Sequence, residues 1–263
     1  MTTCCTTALT DLGSARLGYV VRFVDCHSHV VPSGDDGAQS LADGIALCEL
    51  AARSGTEVLY ATPHVWPHLV LTAEREQAVG RAFEALHVDA PLELRLGYEL
   101  TPAPPLLDED PARYALEGTD VVLVEVPFIG PADGLFALAE HIESAGFVPL
   151  VAHPERTEAV RARPSLADEL AERGWPLQLN STSLTGRHGP EAEALAWRLI
   201  EDGHGKVVAS DGHRLTRPAR LDGAYELVSA RVGEEAAAPL FDGTGLGLRA
   251  RRPTPSRAGA RDA

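Results

Sequence analysis

The chain has 263 residues and a formal net charge of −15, from 38 Asp and Glu against 23 Lys and Arg. That balance argues against a general nucleic-acid binder or a nuclease, whose footprint is a basic face. With 44% hydrophobic residues the chain can bury a sizeable core, as one large α/β domain or two small ones.

Residues 1–19 are rich in Thr, hold Cys4 and Cys5, and read as a poorly ordered extension. Apolar, often β-branched runs follow at 20–24, 57–61, 92–96, 121–126, 148–152, 177–179 and 207–209, and each predicts a strand. Helical stretches separate most of them. The stretch 40–54 puts Leu41, Ile45, Cys48 and Ala52 on one face and stops at Gly55. The stretches 73–87, 134–145 and 191–202 behave likewise, the last two ending at Gly146 and Gly203. Strand–helix alternation implies parallel strands with crossover helices. Seven such strands in ~230 residues suit a barrel-like α/β fold better than an open sheet, which the pattern still allows. Residues 20–248 form the expected domain, and 249–263, with five Arg and one Asp, a disordered basic tail or else a docking segment for an acidic partner or membrane surface.

Cys4, Cys5, Cys26 and Cys48 have the spacing of neither a disulfide framework nor a zinc knuckle. No basic-then-apolar leader is visible, and no run approaches the ~20 apolar residues of a membrane helix. The expected setting is soluble, reducing and cytoplasmic.

Polar residues recur where the strands end. Asp25, His27 and His29 follow the first run, with Asp35, Asp36 and Gly37 close behind. His64 follows the second, Glu99 the third, and Glu125 lies near the end of the fourth. His153 follows the fifth, Asn180 the sixth, and Asp211 with His213 the seventh. In a parallel barrel those ends point to one face, so residues nearly two hundred positions apart converge. Imidazoles and carboxylates of this kind suit Mn, Fe or Zn without singling one out. Three or more carboxylates suggest several ions, and paired ions activate a shared water and clamp the oxygens of an in-line phosphoryl displacement. Arg156, three residues past His153, and Arg217, four past His213, are candidates to hold phosphate oxygens.

Other chemistries lack their signatures. No Cys has Arg six positions later, as a cysteine phosphatase requires, and there is no Gly-x-Ser-x-Gly elbow. Gly205-Lys206 is not a phosphate loop. Cys26 reads as a small buried hydrophobe. His68, His87, His141, His188 and His204 read as surface or capping residues, His188 being set apart by its Gly-containing loop.

The segments Asp25-Cys26-His27-Ser28-His29, Asp35-Asp36-Gly37, Ala61-Thr62-Pro63-His64, Gly97-Tyr98-Glu99, Val124-Glu125, His153-Pro154-Glu155-Arg156 and Asp211-Gly212-His213 resemble the polymerase-and-histidinol-phosphatase (PHP) superfamily. Within it the chain is most similar to the bacterial manganese-dependent protein-tyrosine phosphatases of the CpsB type. The resemblance implies a distorted seven-stranded (β/α)7 barrel holding up to three Mn2+ ions. It implies one ion shared by His27, His29, Glu99 and Asp211. Glu99 would bridge to a second with Glu125 and His153, and Asp36, His64 and His213 would hold a third. Arg156 resembles a catalytic phosphate-binding arginine and Arg217 a supporting one. The implied reaction is attack of a metal-bound hydroxide on a phosphotyrosine protein, such as a cognate tyrosine kinase of exopolysaccharide or capsule synthesis. The alternatives are a small-molecule phosphatase, for instance of histidinol phosphate, and a non-catalytic metal-binding module.

Overall fold

The computed structural model describes residues 21–248; the expected N-terminal extension and basic tail lie outside the described residues. Nine strands are described: β1 (Phe23–Ser28), β2 (Thr56–Ala61), β3 (His64–Val65), β4 (Glu93–Leu96), β5 (Glu99–Leu100), β6 (Val121–Glu125), β7 (Val148–Ala152), β8 (Leu177–Asn180) and β9 (Gly205–Ala209). They form a three-stranded sheet, β1-β2-β4, and a six-stranded sheet, β3-β5-β6-β7-β8-β9. Every ladder is parallel, as the strand–helix alternation predicts.

The count of nine differs from the seven expected because two strand paths are interrupted. Pro63 lacks the N–H that a continuous ladder would use, and it separates β2 from β3. Gly97 and Tyr98 separate β4 from β5. Backbone bonds still cross both gaps: Thr62 N donates to Ser28 O at 2.7 Å, Gly97 N to Ala61 O at 2.9 Å, and Glu99 N to Pro63 O at 3.3 Å. The outer strands β1 and β9 also meet. A parallel bridge joins Ser28 to Gly212, with His29 N donating to Gly212 O at 2.7 Å.

The first strand runs later than its apolar pattern suggests. It begins at Phe23 and continues through Asp25 and His27, all buried. Asp25 can be extended and buried because its Oδ1 accepts from Ser210 N at 3.0 Å and His27 N at 3.3 Å. Polar residues expected after the strand therefore lie within it.

The four expected helices are present as Leu41–Arg53, Ala73–Asp89, Asp133–Ser144 and Pro190–Glu201. Ser40 and Thr72 cap the first two, accepting from Asp43 N and Arg75 N. Five further helices were not anticipated: Glu158–Ala162, Ser165–Glu172, Ser181–Leu184, Asp222–Val232 and Glu234–Phe241. They are short, and the longest of them buries only Ala224 and Val228. Strand residues alternate between two apolar clusters. Val24, Cys26, Tyr60, Leu123, Leu150 and Val207 form one. Leu59, Val122, Val151 and Val208 join the helix residues Leu47, Leu135 and Ile142 in the other. Burial on both faces is what parallel sheets require. It also pushes up the pKa of the Cys26 thiol, as expected of an inert core residue.

Gly212 sits where β1 and β9 meet, and a Cβ there would lie 2.5 Å from Ala219 N and 2.6 Å from Ala219 Cα. Gly212→Ala is expected to cost about 1–3 kcal/mol, read as a lower urea midpoint at unchanged slope. Gly80 lies inside the helix Ala73–Asp89, and a Cβ there would meet nothing within 4 Å. Gly80→Ala is expected to stabilise by up to about 1 kcal/mol. Equal effects of the two changes would contradict this packing.

Candidate metal centre

β1 delivers His27, and His29 follows one residue beyond its end; two positions apart, they reach the same side of the sheet. His27 Nε2 lies 3.1 Å from His29 Nε2. The carboxylate of Glu99, at the start of β5, meets both rings, with Oε2 3.1 Å from His27 Nε2 and 3.3 Å from His29 Nε2. Asp211 Oδ1, two residues past β9, is 3.5 Å from each of the same nitrogens. Four donor atoms thus face one point.

Around this quartet the other candidates close in. Glu99 Oε1 is 2.9 Å from His153 Nε2, and His64 Nδ1 is 3.0 Å from Glu99 Oε2. Glu125, ending β6, accepts from Thr101 Oγ1. Nearer the solvent, Asp36 Oδ1 lies 3.5 Å from His64 Nε2 and 3.3 Å from His213 Nε2. Donor atoms within 4.8 Å of one another form the groups His29–His64–His213, His27–Glu99–His153, His27–His29–Asp211 and His64–Glu99–Glu125. All nine sequence-predicted ligands are brought together, eight of them buried and Asp36 partly exposed at the rim.

Backbone strain is concentrated at the same place. Among the described residues only His153 (φ 32°) and Asp211 (φ 52°) are non-glycine residues with positive φ. Such conformations cost roughly 1–3 kcal/mol each and persist where the surroundings enforce them. Here they turn the chain sharply at the ends of β7 and β9.

The donor set fits divalent cations. Burial alone raises carboxyl pKa values, yet His27 and the neighbouring groups hold Glu99 and Asp211 well below the usual carboxylate range. Glu125 goes the other way: burial and then the adjacent Glu99 charge push it well above that range. Glu99 Oε2 and Glu125 Oε2 are buried without a well-formed hydrogen bond. Three buried carboxylates ionise together only if positive charge joins them. Burial lowers His153 and His213 to about 4, which leaves both imidazoles neutral and able to ligate near pH 7.

Both predicted arginines reach the centre. Arg156 Nη1 donates to Asp211 Oδ2, and Arg217 Nη2 donates to Asp211 Oδ1 at 3.0 Å. They line a cavity of about 220 Å3 with Asp36, His64, Trp66 and Phe128. Phe128 lies under the Arg156 guanidinium, 4.9 Å from centroid to Cζ, and stacks on His153 at 5.3 Å. Trp66 stacks on His64 at 4.3 Å.

Several supporting residues escaped the sequence reading. Gln178 Oε1 is 2.9 Å from His27 Nδ1, so the other ring nitrogen points inward. Gln178 and Asn180 alternate along buried β8, the one signal that could have revealed Gln178. Trp66, Phe128 and Thr101 carried none. Asp35 Oδ2 is 3.4 Å from His29 Nδ1 and accepts from His64 N at 3.0 Å. His188 belongs to the site's surroundings rather than the surface: its Nε2 lies 2.7 Å from Thr182 Oγ1, and Thr182 donates to Asn180, which donates to Asp211. His141 and His204, by contrast, bond to Glu109 O and Asp168 Oδ1, away from the centre.

The profile of the capsular polysaccharide synthesis CpsB/CapC family matches residues 23–244. The chain is 32% identical over 234 residues to the tyrosine-protein phosphatase YwqE of Bacillus subtilis, covering 86% of this chain and 91% of YwqE. It is 26% identical over 232 residues to the tyrosine-protein phosphatase CpsB of Streptococcus agalactiae serotype V, covering 83% and 94%. A chain from the crystal structures of Bacillus subtilis YwqE and Streptococcus pneumoniae CpsB, described as unique metal-dependent tyrosine phosphatases, superposes with a TM-score of 0.72 at 29% identity, over 82% of this chain and 90% of that one.

Adding Mn2+ to chelator-treated protein at about a hundred times its Kd is expected to stabilise by about 2.7 kcal/mol. At this chain length that raises Tm by roughly 5–10 °C. Glu99→Gln should remove most of the rise. Identical melting curves with and without the ion would rule the centre out.

Proposed function

The chain belongs to the capsular polysaccharide synthesis CpsB/CapC family, and from that membership we propose that it is a metal-dependent protein-tyrosine phosphatase of the PHP superfamily. The convergence of nine ligand side chains and two arginines at one end of the parallel strands carries this reading. We assign residues 20–248 to one catalytic unit. Within it the broken paths β2–β3 and β4–β5 count as two strands of a distorted seven-stranded barrel; the Ser28–Gly212 bridge between β1 and β9 supports closure.

The contacts support three ion positions: His27, His29, Glu99 and Asp211 at the first, Glu99, Glu125 and His153 at the second, and Asp36, His64 and His213 at the third. Mixed imidazole and carboxylate ligation suits Mn2+, with Fe and Zn as chemical alternatives. Ions bound there supply Lewis acidity to a phosphoryl oxygen and acidify a water.

The protein's own groups do the rest. Arg156 and Arg217 each present a planar guanidinium to the cavity, suited to two phosphate oxygens at once. Phe128 beneath Arg156 fixes the plane of that guanidinium. Both arginines hold charge that develops on the equatorial oxygens in the transition state. Gln178 and Asp35 hold the outer nitrogens of His27 and His29, keeping the inner ones turned to the centre. Trp66 and Phe128 line the cavity with aromatic surface, which suits a phenyl ring. The departing phenolate has a pKa of about 10, so it leaves with little protonation.

The mouth is open: the Asp36 side chain is 55% exposed and Phe128 41% exposed. A small rim of this kind admits a tyrosine on a polypeptide and offers no enclosing pocket for an imidazole and an amine, which histidinol phosphate would need. The natural substrate is then a phosphotyrosine protein, with a tyrosine kinase of exopolysaccharide or capsule synthesis as the cognate partner. Among the described residues no helix is long and apolar enough to cross a membrane; a cytoplasmic site of action is part of this proposal.

With Mn2+ the protein is expected to release phosphate from phosphotyrosine peptides, and chelator should abolish it. Arg156→Ala is expected to lower kcat/KM by about 10²–10³, and His27→Ala by at least as much, with lost metal content. Unchanged kcat/KM in both variants would refute the assignment.

A further inference from the structure

Beside the phosphate cavity lies a second one, of about 340 Å3, that the chemistry above does not use. Its lining is mostly apolar, including Val65, Trp66, Val70, Leu71, Ala103 and Leu106, with Thr72, Glu109 and Tyr114 as its polar members. Trp66 is part of both linings, so the two cavities share a wall. That wall is rigid. The Trp66 ring stacks on His64 at 4.3 Å and on His68 at 5.2 Å. The turn that follows is closed by Leu69 N donating to Trp66 O at 2.9 Å. Arg75 ties it down further, donating to Leu69 O at 2.9 Å and to His64 O at 2.8 Å. On the far side the prolines open a 3-10 helix, Pro104–Asp108, whose first positions offer no N–H.

The apolar surface here is open to solvent. Val70 is 47% exposed on the second cavity, and Ile129, next to Phe128 at the phosphate cavity, is 84% exposed. Exposed apolar side chains beside a cavity mark a binding surface. A polypeptide whose phosphotyrosine occupies the first cavity must run on past its rim. In an extended chain, side chains two residues apart project to the same side, roughly 7 Å apart. The adjoining cavity is therefore within reach of the substrate's own next side chains.

We propose that this second cavity is a specificity subsite that binds one large apolar side chain of the substrate, such as Leu or Phe, within two residues of the phosphotyrosine. The proposal rests on the phosphatase reading and adds sequence context to it. The preformed walls select by size and apolarity, and the gain is in substrate affinity rather than in the chemical step.

The test uses the Mn2+-loaded protein and a set of phosphotyrosine peptides that differ only in having Gly, Leu or Phe at each of the two positions on either side. Wild type should favour Leu or Phe over Gly at one position by about tenfold in kcat/KM, mainly through KM. Val70→Glu, which puts a charge on the exposed rim, and Ala103→Phe, which fills the cavity, should each reduce that preference below about twofold. Both should leave kcat/KM for p-nitrophenyl phosphate unchanged. Calorimetric titration of the same peptides reads the subsite whether or not phosphate is released. Apolar preference in affinity without turnover would support the subsite and refute the phosphatase reading. Turnover with equal affinity for Gly, Leu and Phe peptides, or a preference that survives both variants, would overturn the subsite alone.

Discussion

Buried charge is the constraint on which this molecule turns. Glu99, Glu125 and Asp211 are all nearly inaccessible, as are His27, His29, His64, His153 and His213. Taking even one carboxylate out of water costs several kcal/mol unless it is paired and hydrogen-bonded. Contacts inside the cluster offset part of that cost, since Glu99 faces four imidazole nitrogens and Asp211 faces two arginines. Glu125 shows where they stop: burial and the Glu99 charge drive it towards its neutral form. A fold that retains such a cluster is matched to cations.

The architecture serves that cluster at each point where regularity is lost. A continuous ladder from β2 into β3 would leave no break at Pro63, and the break puts His64 in register with Glu99 across a two-residue strand pair. Left-handed backbone at His153 and Asp211 turns two more ligands at strand ends. Gly212 lets Ala219 approach the backbone where β1 and β9 join. The sheets are otherwise ordinary parallel sheets buried on both faces.

Much of this was legible in the sequence, and what was not has a physical reason. Apolar runs located most of the strands because the strands are buried on both faces, which keeps their sequences largely apolar. The candidate ligands stand out because most of them lie at or near a strand end, a relation that survives errors of a few residues in the strand itself. The end of β1 lies beyond its apolar run because Asp25 and His27 are buried polar residues inside the strand, satisfied by partners such as Ser210 and Gln178 far along the chain. The strands that resume after Pro63 and Gly97 carry no signal of their own, since a two-residue strand has no periodicity. Trp66 and Phe128 were invisible as site residues because an isolated aromatic carries no sign of what it stacks on. Gln178 shows only as a polar residue that, like Asn180, alternates with leucine on a buried strand.

Asp211 explains why the ligands and the arginines belong to one unit. Its Oδ1 faces His27 and His29 and accepts from Arg217, while its Oδ2 accepts from Arg156 and from Asn180. A single carboxylate therefore connects the innermost imidazoles to both guanidinium groups. Its backbone is strained, and its own N–H donates to His27 O at 2.9 Å, which fixes it against β1. Any group that draws Oδ1 inward alters the charge available to Arg156 and Arg217, and an anion that draws the arginines outward releases the carboxylate. Under the proposed function, a cation at Oδ1 and a phosphate on the two arginines would therefore act on one and the same side chain.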